Sequence, residues 1–428
     1  MSYLDAIPAL VKVGAAFGLI LILNRLRLSL GWALLAGSAF LGLLMGLGPS
    51  ALWDAAAESL FDPSIAALLL IVAVILALSK IMSEGGQLER MVDSFTRVTG
   101  DSRVAAVVMP ALIGLLPMPG GALFSAPMVD SACRVEPVEA ELKTAVNYWF
   151  RHIWEYWWPL YPGVVLAVGL LKVEAWRFML IQAPLTLLSL AAGMIFLLPR
   201  MPRNRAHAGS RAEGYGGWRA FAREVLPIAL VILALPAVWL FERISGVEAP
   251  GLSGIFLGLG LCLAWVLFQN RPAPGRVASA LLSRSTAGLI LLICAVMVFK
   301  GVLTGSGAVA GIQSELVRYG IPPLAVLMCV PFLAGLITGI AVGFVGASFP
   351  LVVGLIAGKS GLDFLAHASL AYAFGYMGMM LSPVHVCFLV TKDYFGSALS
   401  AAYRRVVGPA VLVLAGAVSY FIVLVLVS

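Results

Sequence analysis

Apolar residues run along the chain in ten blocks of membrane-spanning length. In the first half they cover 6–24, 29–47, 64–82, 142–171 and 175–198; in the second, 224–242, 250–269, 286–304, 364–391 and 403–427. A helix needs about 20 mainly apolar residues to cross a bilayer, so each block predicts one spanning helix. Two more apolar stretches, 104–132 and 322–358, are interrupted near their middles. Pro117-Met118-Pro119-Gly120-Gly121 breaks the first; Thr338-Gly339 through Gly343 and Gly346 loosen the second. Proline removes a backbone donor and glycine favours bends, so both read as re-entrant helical hairpins. Broken backbone at that depth survives only where protein or a watery cavity covers it. The stretches 83–98 and 306–319 mix apolar and polar residues at roughly helical spacing, which fits interfacial helices or plain loops.

The pattern repeats. Residues 79–122 align without a gap on 300–343, a shift of 221. Gly86 falls on Gly307, Arg97 on Arg318, Pro110 on Pro331, Leu112 on Leu333, Gly114 on Gly335 and Leu115 on Leu336. A shift of 224 later places Tyr148 on Tyr372, Phe150 on Phe374 and Pro159 on Pro383, so the two prolines mark either equivalent helix breaks or ordinary kinks. The expected units are a first repeat over 1–198, a cytoplasmic linker over 199–222 and a second repeat over 223–428. Five spans per repeat is an odd number, so the second copy must be inserted upside down. Paired interruptions in two halves point to a transporter's binding site.

Charge tests the orientation. The chain carries 28 basic residues and a net charge of +7. With both termini outside, 20 of the 28 lie in inward loops and six outside, as the positive-inside rule requires. The charge therefore reads as topology rather than as a nucleic-acid surface. The composition, 61% hydrophobic and 11% charged, excludes a soluble domain, which carries about 25% charged residues. The first segment, interrupted by Lys12, reads as a retained span rather than a signal peptide. Five cysteines without a CxxC spacing suggest neither a disulfide framework nor a metal site.

Candidate chemistry lies at the breaks. Glycine-rich tips let backbone N–H groups at half-helix N-termini face an anion. Pro119, Gly120, Gly121 and Ser125 are the candidates in the first tip, and Thr338, Gly339, Gly343, Gly346 and Ser348 in the second; close helix packing is the competing use of small residues. The span after the first hairpin holds Asn147, Arg151, His152 and Glu155, and intramembrane ionisable groups are functional by default. Arg151 and Glu155 are four apart, so a shared helix face would let them pair, either as an internal brace or with Arg151 attracting an anion. His152 or Glu155 could carry a coupling proton. The matching span offers Tyr376, Ser382 and His385 as substrate contacts. The aromatic cluster from Trp149 to Tyr161 fits interface packing or a pocket for an amphipathic ligand.

On Leu116-Pro117-Met118-Pro119-Gly120-Gly121-Ala122, Phe150-Arg151-His152-Ile153-Trp154-Glu155-Tyr156-Trp157-Trp158-Pro159 and Leu381-Ser382-Pro383-Val384-His385, the chain resembles a family of uncharacterised integral-membrane permeases within the ion transporter superfamily, related to gluconate and arsenite permeases and divalent-anion/sodium symporters. The resemblance implies a homodimer in which a transport domain slides as an elevator against a scaffold. A clear Ser-Asn-Thr signature at the hairpin tips, as in the sodium symporters, is missing.

The expectation is an all-α polytopic protein of the cell (inner) membrane, with about ten transmembrane helices in two inverted repeats. It is expected to be a non-enzymatic secondary active transporter of a small organic anion, coupled to H+ or Na+, without another cofactor. No GxxxxGK[ST] phosphate loop is present. Rival readings are a transporter of a larger lipid-linked or aromatic anion, a channel, and an intramembrane metal enzyme using His152, Glu155, His367 and His385.

Overall fold

Backbone buried in an apolar medium must satisfy its own N–H and C=O groups, and a helix does so within one segment. In the computed structural model the described residues are 7–96, 102–117, 121–133, 138–201, 214–247 and 252–428, and among them every regular element is helical. The first half contains α1 (Ala9–Arg25), α2 (Leu30–Leu44), α3 (Pro49–Leu60), α4 (Pro63–Glu84), α5 (Gln87–Thr96), α6 (Ser102–Ile113), α7 (Ala122–Ala132), α8 (Ala140–Arg151), α9 (Pro162–Leu171) and α10 (Ala175–Phe196). The second contains α11 (Gly214–Ser245), α12 (Ser253–Asn270), α13 (Pro274–Leu281), α14 (Arg284–Gly305), α15 (Ala308–Tyr319), α16 (Pro323–Thr338), α17 (Ala341–Ile356), α18 (Gly361–Met380), α19 (Val386–Phe395) and α20 (Leu399–Val427). Among the described residues, six segments are long and apolar enough to cross a membrane: 65–84, 175–200, 217–245, 253–270, 274–305 and 399–427. With the composition, this makes the chain a polytopic helical membrane protein.

Several expected boundaries move. The block 142–171 is not one helix: α8 stops at Arg151, and residues 152–161 run as irregular turns before α9. The block 364–391 is likewise interrupted at 381–385, between α18 and α19. The stretches left open between helix and loop are helical, as α5 and α15. Two short helices, α3 and α13, were not anticipated, because at 12 and 8 residues they fall below spanning length. The segment 199–222 contains the start of α11 at Gly214, and residues 202–213 lie outside the described residues.

Helix boundaries recur along the chain. Shifted by 221 residues, α4 coincides end to end with α14, and α5, α6 and α8 begin where α15, α16 and α18 begin. Shifted by 224, α9 coincides with α19 and α10 begins where α20 does. Gly86 and Gly307 both take left-handed backbone, at φ +67° and +70°, and each turns the chain into the short helix that follows. Packing across the halves is reciprocal: α2 meets α14 as α12 meets α4, α1 meets α15 as α11 meets α5, and α9 meets α17 as α19 meets α7.

The packing divides the helices into two groups. In one, α2 and α3 pack on α14, and α12 and α13 pack on α4. In the other, α6 to α10 interlock with α16 to α20. Between them, α5 and α15 act as ties. Glu315 of α15 accepts hydrogen bonds from Ala9 N (2.6 Å) and Leu10 N (2.7 Å), two of the open donors at the start of α1. On α5, Gln87 Nε2 donates to Glu224 O (3.0 Å) and Arg90 lies 3.3 Å from the Glu224 carboxylate. The second group holds the deepest core, where residues 341–352 of α17 and 366–373 of α18 are all buried. Large apolar side chains such as Leu180, Leu187, Phe241 and Val411 face outward on α10, α11 and α20, where lipid would meet them.

Candidate functional site

The site forms where four interruptions meet. α8 ends at Arg151 because the next residues fold into successive tight turns. Glu155 N donates to His152 O (3.2 Å), Trp158 N to Trp154 O (3.1 Å) and Tyr161 N to Trp158 O (3.0 Å). Pro159 supplies no donor, and Pro162 opens α9 at a position where none is needed. On the other side, Leu381-Ser382-Pro383-Val384 separates α18 from α19, with His385 at the N-cap.

The two hairpins close on these breaks. The α6 arm unwinds after Ile113, which leaves carbonyls open. Three aromatic residues of the break satisfy them: Trp154 Nε1 donates to Ala111 O (2.8 Å), Trp158 Nε1 to Leu115 O (2.9 Å) and the Tyr161 hydroxyl to Gly114 O (2.5 Å). Trp149 and Trp157 reach the other way, to Ser189 O and Thr186 Oγ1 of α10 at 2.9 Å each. The indole N–H groups of the cluster therefore serve as struts rather than as the wall of an aromatic cage. The α16 arm ends at Gly339, in left-handed backbone at φ +66°, and His385 Nδ1–H donates to its carbonyl (2.6 Å).

Glycine makes both approaches possible. A Cβ on Gly114 would stand 1.9 Å from the Arg151 carbonyl oxygen; one on Gly335 would stand 2.1 Å from that of Gly375. Gly114 and Gly335 are equivalent under the 221-residue shift, and Arg151 and Gly375 under the 224-residue shift. The halves also exchange tyrosines: Tyr148 donates to Met380 O (3.0 Å), Tyr372 to Glu155 O (2.9 Å), and Tyr376 to His152 O. Carbonyls freed by each break are thus satisfied from the opposite half, as buried backbone requires.

Inside this frame sit the ionisable groups. Arg151 Nη1 is 3.8 Å from Glu155 Oε1, and His152 Nε2 is 3.7 Å from the same oxygen. These are ion-pair distances, longer than the roughly 2.7–2.9 Å of a charge-assisted hydrogen bond. The sequence placed Arg151 and Glu155 on one helix face; in fact the helix has ended, and the turn at 152–155 brings them together. His152 Nδ1–H donates to Tyr148 O (2.6 Å), and Arg151 Nη1 donates to His152 Nε2 (3.2 Å). His385 Nε2 lies 3.0 Å from His152 Nε2. Arg151, His152, Glu155 and His385 border a cavity of about 340 Å³, together with Tyr161, Cys387, Pro117 at the first tip and Ile340–Val342 at the second. Pro162 and Gly163 add the start of α9, and the remaining wall, Leu76, Ser285, Gly288 and Leu289, comes from α4 and α14.

Other expected contacts lie behind this wall. Asn147, fully buried, donates to Ala122 O (3.0 Å) and Thr391 Oγ1 (3.1 Å), tying the first hairpin to α19. Ser125, Thr338 and Ser348 bond back to carbonyls of their own helices. Gly343 packs under Thr338, the Ser382 hydroxyl accepts from Val384 N (3.3 Å), and Tyr376 supports the break. Gly339 presents its carbonyl to His385, and Gly121 precedes α7. Pro119 and Gly120 lie outside the described residues. Tyr161, read as part of an aromatic cluster that packs or lines a pocket, does border the cavity, whereas Cys387 and the α14 residues were missed. The short spacing of His385 to Cys387 was the one available signal for the cysteine.

A family model described as a protein of unknown function (DUF401) matches residues 9–241 and 280–426. No curated protein matches the chain.

Proposed function

The chain belongs to the DUF401 family, and we propose that it is a secondary active transporter of a small organic anion, driven by H+ or Na+ and working by an elevator motion. The observation that carries this reading is the convergence of both hairpin tips and both helix breaks on a buried arginine beside a 340 Å³ cavity. Irregular backbone at membrane depth belongs to solute pathways in transporters. Three helices, α9, α17 and α19, begin at the cavity wall with Pro162, Ala341 and the His385–Cys387 segment. Their N-terminal dipoles add to the charge of Arg151 and favour an anion.

The recurrence of helix boundaries and the reciprocal contacts support two repeats related by a twofold axis. Counting α1, α2, α4, the broken pair α8–α9, and α10 gives five crossings in the first repeat, and an odd number implies inversion. The cavity lies between the two helix groups, with α4 and α14 forming one wall and the breaks and tips the other. A sliding boundary of this kind exposes its solute alternately to each side. In this reading α1–α4 and α11–α14 form the scaffold of a homodimer, both termini lie outside the inner membrane, and α5 and α15 are the connecting arms.

The test is a thermal-shift screen of the purified full-length protein against small carboxylates and phosphates, with and without Na+, at two pH values. A ligand at 100 times its Kd should stabilise the fold by about 2.7 kcal/mol. Arg151→Gln should weaken binding of that ligand about 100-fold, the scale for removing a buried charged partner. Unchanged affinity would take Arg151 out of the site and leave it as a brace.

A further inference from the structure

We propose that His152, His385 and Cys387 form a binding site for one transition-metal cation of the Zn2+ class. The site is built from two helix breaks that lie in opposite halves of the chain, and it stands independently of whether the cavity carries an anion.

The imidazoles are already arranged as ligands. His152 uses Nδ1–H on Tyr148 O (2.6 Å), and His385 uses Nδ1–H on Gly339 O (2.6 Å). Each bond fixes the tautomer, so each neutral ring turns the lone pair of Nε2 toward the other. The two Nε2 atoms face each other at 3.0 Å. Two acceptors at that distance repel, and here the Arg151 guanidinium, 3.2 Å from His152 Nε2, is the cation beside them; a metal ion between the rings would take over that role. A ring whose second nitrogen donates to a backbone carbonyl is the usual arrangement of a metal-ligating histidine.

A third ligand is in place. Cys387 Sγ and one ring nitrogen of each histidine lie within 4.8 Å of one another, Cys387 is within hydrogen-bonding reach of His152, and all three residues are buried. Two imidazoles and a thiolate suit a borderline-soft ion with tetrahedral geometry. With metal–nitrogen bonds of about 2.0–2.1 Å, a tetrahedral ion holds its nitrogens about 3.3 Å apart. The rings need part by only a few tenths of an ångström. The fourth position would be filled by a solute oxygen, or by the Glu155 carboxylate, 3.7 Å from His152 Nε2, after it moves toward the other two ligands. Thiolate and carboxylate together balance the two positive charges of the ion.

One group competes. Arg151 Nη1 occupies the His152 lone pair at 3.2 Å and must turn toward Glu155 for the ion to enter. The site therefore has a built-in antagonist, which makes a distinctive prediction. Removing the guanidinium should tighten metal binding, whereas it should weaken anion binding.

Purified full-length protein, stripped with chelator, is titrated with Co2+ as the probe and then with Zn2+ in competition. One equivalent should give a thiolate-to-cobalt charge-transfer band together with the visible bands of tetrahedral Co2+, both removed by Zn2+. Cys387→Ser should abolish the charge-transfer band, and His385→Gln should lower affinity at least 10-fold, while Cys133→Ser leaves the spectrum unchanged. Arg151→Gln should raise affinity. Each variant is compared at matched elution volume in detergent, so loss of signal reports the site and not the fold. Wild-type protein without a thiolate band overturns the proposal, as does a band that survives Cys387→Ser. Either failure leaves the anion measurements with Arg151→Gln untouched.

Discussion

At the scale of single residues, the tightest requirement is the absence of a Cβ. Gly114 and Gly335 hold hairpin arms against carbonyls that a methyl group would strike at 1.9 and 2.1 Å. Backbone on both sides leaves nothing flexible to yield, so Gly114→Ala and Gly335→Ala should each destabilise the protein by about 1–3 kcal/mol, the usual cost of overpacking. Gly14, with nothing within 4 Å of its would-be Cβ, is the control. Gly14→Ala should leave the thermal midpoint in detergent unchanged or raised, because alanine is the better helix former. Equal midpoints for all three variants would remove the close-approach account. This pair was legible in the sequence, since the glycines coincide under the 221-residue shift. The partner Cys387 was not, because it lies 235 positions from His152 and nothing local marks the contact.

At the scale of elements, the short arm α6 depends on groups outside itself. Its last carbonyls are held by Trp154, Trp158 and Tyr161. Trp158→Phe keeps an aromatic ring, trims part of the buried volume and deletes one donor, which leaves Leu115 O without it. The expected cost is about 1–3 kcal/mol, the penalty for an unsatisfied buried group. It should appear as faster hydrogen exchange over 111–117, with little change in α10. Uniform exchange across the two segments would argue against the strut role. Apolar content alone predicted a continuous helix over 142–171. What divides it is the cost of open carbonyls in three places at once, which the turns at 152–161 and the aromatic donors settle together. Proline at 159 hinted at a break but could not set its start at Arg151.

At the scale of the whole molecule, the inverted reading makes a prediction about sides. The base of the first hairpin should face the cytoplasm and the base of the second the outside. Ser131 and Gly358, both exposed, mark these bases. In a chain whose exposed Cys329 is replaced by serine, Gly358→Cys should react with a membrane-impermeant maleimide in intact cells. Ser131→Cys should react only after permeabilisation. Labelling of both positions from one side would contradict inversion and, with it, the elevator geometry.

The sequence by itself determined that this is a helical membrane protein, because apolar blocks of spanning length admit no other backbone solution in lipid. It also carried the glycines and prolines that recur at a constant shift, whose backbone demands are the same wherever they occur. Tertiary packing decided which ionisable groups share a chamber. His152, His385 and Cys387 come together because each hairpin arm packs on the break of its own half, while Tyr148, Tyr372 and Tyr376 tie the two breaks to each other. Such a meeting depends on how distant helices interlock, and no local periodicity encodes it.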